Sequence, residues 1–160
     1  AQLAVNELSA ELQMMWVDER LAKDPILFPL PLADEFGWVL QTPGARLLHG
    51  LVQREERDGE WAGRIESELE DFFYSQPQVV NTLGSPTIAC RFTMCEVTLS
   101  SGRASDRSYA AAVELRESFR RDDLYDEFWF PPGPSWIQER FENDVVSVFW
   151  VLPRVQSDLY

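Results

Sequence analysis

Cys90 and Cys95 constrain this chain more than any other pair of residues. They lie in Ile88-Ala89-Cys90-Arg91-Phe92-Thr93-Met94-Cys95-Glu96-Val97, a run that reads as a tight β-hairpin. With Phe92-Thr93 as the turn, Arg91 faces Met94 and Cys90 faces Cys95. The pair beside a two-residue turn exchanges both backbone hydrogen bonds. The next pair is then non-hydrogen-bonded, which brings its Cα atoms to roughly 4.5 Å. A disulfide needs Cα atoms about 4.4–6.8 Å apart, so the register permits one. Such a bond closes a very short loop and pins local register rather than holding a domain together. It would also imply an oxidising compartment. Two buried, reduced thiols are the alternative. Redox catalysis is disfavoured, because no C-x-x-C motif with a following helix N-terminus acidifies a thiol. Zinc lacks a second pair of Cys or His ligands.

The chain has 160 residues, which sets a default of one domain, able to bury roughly 70% of its unfolded surface. Lys and Arg total 14 against 27 Asp and Glu, a net charge of −13. That charge repels phosphate backbones and anionic lipid, so nucleic acid is not an expected partner. It suits solubility, or pairing with a basic protein. No apolar run approaches the ~20 residues of a transmembrane helix, so direct membrane insertion is not expected. The start at Ala1, without an initiator Met, suits a mature product after signal cleavage, or a trimmed chain.

The hydrophobic pattern divides the chain into three parts: an N-terminal helix over 1–23, a Pro-rich strap and linker over 24–57, and a core over 58–160. Val5, Leu8, Leu12, Met15 and Trp16 recur at helical spacing, and Pro25 stops that helix. Pro25, Pro29, Pro31 and Pro43 interrupt a strongly apolar stretch, which reads as an extended strap with a short strand near Phe36–Gln41. Trp61, Ile65, Leu69, Phe72 and Phe73 form one helical stripe, opened by Asp58 as N-cap and ended before Pro77. The hairpin follows. A helix over Ser105 to Arg120 then presents Tyr109, Ala112, Val113, Arg116 and Phe119 on one face. After the acidic loop Asp122–Glu127, Phe128-Trp129-Phe130 reads as a short strand. Val145–Leu152 is apolar on both faces, and so a central strand. The expected fold is a single α+β domain with an αββαββ-like core. Its antiparallel sheet has about four strands and carries helices on one face.

Catalytic signatures are missing. His49 is the one histidine, and no nucleophile motif surrounds it. Neither a phosphate-cradling Gly-rich loop nor H-E-x-x-H occurs. Asp122, Asp123, Asp126 and Glu127 lack the spacing and central Gly of an EF-hand loop. No catalytic residue, metal ligand or cofactor is therefore expected. A carboxylate pair could still hydrolyse glycans at the right separation, with Trp129, Trp136 and Trp150 suited to stacking on sugar rings.

Arg54 to Leu99 resembles a loosely defined group of uncharacterised bacterial envelope or secreted proteins. The shared pattern is an acidic residue, a Trp-Ala that opens an amphipathic helix, and a strand carrying Cys-Arg-x-x-x-Cys-x-Val. Here these are Asp58, Trp61-Ala62, the helix to Phe73, and Cys90 to Val97. The resemblance implies an exported α+β module with an intact disulfide and no known catalytic activity. The expectation is thus a non-catalytic periplasmic, envelope or secreted accessory domain that binds another protein, in assembly, in regulation, or in inhibitor- or immunity-type action against a basic partner. Its expected contact residues are Phe28, Leu30, Phe36, Trp38, Trp129 and Trp136. A glycan-active enzyme and a dimerisation module built on the first helix are the alternatives.

Overall fold

Four antiparallel strands form one sheet: β1 (Thr87–Cys90), β2 (Met94–Ser100), β3 (Ile137–Glu142) and β4 (Val145–Pro153), in the order β1-β2-β4-β3. The computed structural model describes residues 36–57, 59–101, 106–132, 135–142 and 145–155. The expected N-terminal helix, together with Phe28 and Leu30, lies outside these residues. β4 is central, as its sequence implies, with β2 on one side and β3 on the other.

Because β4 is apolar at every second residue and also between them, both of its faces must be covered. On one face, Val146, Val148, Trp150 and Leu152 join Cys95, Val97 and Leu99 of β2 against three helices. These are α3 (Gly59–Tyr74), α4 (Pro77–Leu83) and α5 (Asp106–Arg121). On the other face, Phe149, Val151 and Met94 pack against Trp38, Val39, Leu48 and Val52. Those four residues belong to α1 (Gly37–Gln41) and α2 (Pro43–Arg54). Helices therefore lie on both faces, which corrects the expectation of a single helical layer. The result is still one α+β domain.

The Pro-rich strap is corrected as well, from residue 36 onward. Phe36–Gln41 is a helical turn rather than a strand, and Pro43 and Pro77 each begin a helix. At the first helical position a proline sacrifices no hydrogen bond, since its missing N–H would have had no intrahelical acceptor. Gly84 ends α4 with φ 88°, and a Cβ there would sit 2.6 Å from the Ser100 carbonyl oxygen. That close approach lets α4 turn directly into β1.

Two further details differ from the sequence reading. The buried face of α5 runs through Ser108, Ala111, Ala112, Leu115 and Phe119, while Tyr109 is exposed. Small residues are buried there because α5 lies close against α4. Phe128-Trp129-Phe130 is not a strand of the sheet. Phe128 makes one isolated bridge to Arg154 after a short 3₁₀ helix, Asp123–Glu127.

Candidate functional site

Several distant segments tie down the hairpin tip. Cys90 faces Cys95 and Arg91 N–H donates to the Met94 carbonyl at 2.7 Å, the register read from the sequence. The two sulfurs are at disulfide distance, 2.07 Å, with Cα atoms 3.9 Å apart. Segments far away in sequence then clasp the turn. Phe92 N–H donates to the Glu56 carbonyl at 2.8 Å, and Arg91 Nε donates to the Val52 carbonyl at 3.1 Å. The Glu55 carboxylate accepts from both the amide and the hydroxyl of Thr93. From the far end of β4, Arg154 N–H donates to the Thr93 carbonyl at 2.8 Å, and its guanidinium lies 4.6 Å from the Trp61 ring centroid.

His49 is fully buried between α2 and the sheet, and its Nδ1 lies 2.5 Å from Glu96 Oε2 on β2. Glu96 points to this face because β2 alternates, with Cys95 and Val97 on the other. The carboxylate fixes the imidazole by accepting from Nδ1–H. Nε2 is buried and has no hydrogen-bond partner among the described residues. Beside this dyad, Trp38 Nε1 donates to Ser147 Oγ at 2.6 Å, and Phe149 meets both Trp38 and His49 edge-on. The dyad is a polar rivet in an apolar layer. Sequence reading missed it because its two members are 47 residues apart.

An acidic groove of about 490 Å³ opens between the C-terminal half of α3 and the Asp122–Glu127 turn. Five carboxylates line it, from Glu68, Asp71, Asp122, Asp123 and Glu127, with Phe72 and Leu124 at its apolar base. Asp122 caps the turn by accepting from Leu124 N–H at 2.9 Å. Arg64 bonds Glu127 at 3.1 Å and Glu68 at 3.4 Å, and these carboxylates hold its guanidinium above its ordinary range, Glu127 most of all. Asp71 and Asp123 are exposed. The C-terminal end of α3 adds partial negative charge at the same place. The groove therefore favours cations and cationic side chains.

Three of the expected contact residues belong to the core. Phe36, Trp38 and Trp136 are only 6%, 9% and 5% exposed. Their rings fill the layer under α1 and α2, and Trp136 Nε1 donates to the Pro131 carbonyl at 2.8 Å. Trp129 is half-buried. Trp136 and Trp150 are likewise unavailable for stacking on a sugar. Among the described residues no group of three or more His, Cys, Asp or Glu is placed to hold a metal ion, and no helix is long and apolar enough to cross a membrane.

Fold and groove together define a disulfide-containing α+β domain with helices on both sheet faces and a concentrated acidic surface. No family model, curated protein or solved structure matches the chain.

Proposed function

We propose that this chain is an accessory domain of an oxidising compartment, the bacterial periplasm or exterior, that works by binding a basic protein. The acidic groove carries this reading. Five carboxylates line it beside Phe72 and Leu124, and Arg64 engages two of them, Glu68 and Glu127. That combination suits a Lys- or Arg-bearing segment with an apolar neighbour. The net charge of −13 steers such a partner from a distance. The cysteine pair at bonding distance supports the compartment.

The test is affinity capture from an envelope extract at about 50 mM and about 300 mM salt, with Asp71→Asn/Asp123→Asn as comparison. A specific basic partner held at low salt, released at high salt and weakened by the double variant is the expected result. No specific partner, or binding indifferent to both salt and the variant, would overturn the reading.

A further inference from the structure

Both sulfurs of the Cys90–Cys95 pair belong to the core. Each cysteine is 0% exposed and shares the cluster between α3 and the sheet with Trp61, Ile65 and Leu152. Thiol–disulfide exchange begins when a thiolate reaches one sulfur, so the closed molecule offers it no starting point. The place of the pair in the chain gives no hint of this shielding. Cysteines beside a two-residue turn stand at the end of a hairpin, and Phe92 in that turn is 46% exposed.

The tip is shut by a stack drawn from three distant segments. The Arg154 guanidinium carbon lies 4.6 Å from the Trp61 ring centroid on α3 and 5.7 Å from that of Phe92 on the turn. One cation thus bridges the turn to the helix that covers the cysteines. Its Nη1 donates to the Phe92 carbonyl at 3.1 Å, and its backbone N–H donates to the Thr93 carbonyl at 2.8 Å. From α3, Glu66 Oε1 accepts from Cys90 N–H at 3.0 Å, with Arg57 paired to the same carboxylate.

We infer that the Phe92–Arg154–Trp61 stack is a redox latch. While it is closed, the Cys90–Cys95 bond is out of reach of thiols, and the folded domain keeps the bond even among reductants. Reduction proceeds only from an opened tip. There, one thiolate of a dithiol attacks a cysteine sulfur, forms a mixed disulfide and releases the other cysteine, which takes up a proton. The second thiolate of the reductant then displaces the remaining cysteine. Two electrons and two protons pass to the pair, and the dithiol leaves as a cyclic disulfide. The hairpin itself closes locally, whereas Arg154 reaches it only when β4 pairs with β2. The bond therefore forms in the open chain and is sealed when β4 docks. It records the redox conditions under which the hairpin formed.

The experiment exposes the air-oxidised protein to about 5 mM dithiothreitol, in native buffer and in unfolding urea. Samples are quenched with acid, alkylated with N-ethylmaleimide and weighed. Reduction in native buffer is expected to be at least about a hundredfold slower than in urea. Arg154→Ala should speed native reduction about tenfold. Phe92→Ala, at an exposed position, should act in the same direction, and it decides the question if the Arg154 variant does not fold. Val148→Ala, at the other end of the sheet, controls for lost global stability. Its reduction should speed up only as far as its own unfolding free energy accounts for, whereas the two latch variants should exceed that amount. A smaller difference between buffer and urea would overturn the latch. So would latch variants that are reduced no faster than their stabilities account for, or a protein that carries no disulfide after air oxidation. Salt-dependent capture through the acidic groove is unaffected by any of these results, so the two readings fail separately.

Discussion

The His49–Glu96 pair is a costly polar contact to leave half-made. Both side chains are buried, and the layer around them is aromatic and aliphatic. Glu96→Ala leaves a buried imidazole N–H without its acceptor and should lower unfolding free energy by about 1–3 kcal/mol. The pair His49→Leu with Glu96→Leu should be clearly more stable than Glu96→Ala alone, because no polar group is left behind. Urea unfolding of the three proteins measures both differences. Glu139 gives a prediction with a definite pH sign. Its carboxyl is raised by burial, so the folded state holds the proton more tightly than the unfolded chain. Its contribution is fully present below the ordinary carboxylate range and is lost as pH rises through the raised value. Glu139→Gln removes that loss. Relative to the parent, its urea midpoint should therefore shift upward between about pH 3.5 and about pH 7.

At the scale of elements, the disulfide belongs to one hairpin. Cys90 and Cys95 are five residues apart, and closing so short a loop stabilises by roughly 2 kcal/mol. Cys90→Ala with Cys95→Ala should lose about that amount in urea unfolding and keep the native circular dichroism, since Glu55, Glu56 and Arg154 still clasp the turn. This hairpin and α3 were legible in the sequence because each is specified locally. The stripe from Trp61 to Phe73 repeats at helical spacing, and the turn fixes which residues face each other. The helices α1, α2 and α4 were not legible, because Pro43 and Pro77 read as breaks when the prolines in fact open helices. The turn half of the acidic groove, Asp122 to Glu127, stands out in sequence. Its other half, Glu68 and Asp71, is brought there only by the packing of α3. The same holds for His49 and Glu96, whose meeting depends on α2 crossing the sheet. On α5 bulk is a misleading sign of burial: Tyr109 is exposed, and close helix packing selects Ser108 and Ala111 instead.

For the whole molecule, charge is the dominant long-range property. Arg57–Glu66, Arg64–Glu127 and Arg116–Glu139 neutralise some of the surface locally, yet the net value is −13. Repulsion of this kind opposes the compact state and is screened by salt. The thermal midpoint should therefore rise by a few degrees between about 20 and about 150 mM sodium chloride. A fall over that range would mean that the surface ion pairs outweigh the repulsion.

The central position of β4 also sets an order of events. It is the last of the four strands in sequence and the one that β2 and β3 both pair with. Until residues 145–153 are in place, β2 has a bare edge, β3 has no partner, and neither helical layer has a complete floor. Residue Arg154 then closes the hairpin tip from across the chain. Folding in this topology waits on its longest-range contacts, so a ribosome-bound chain is committed to the native state of this domain only once β4 has emerged.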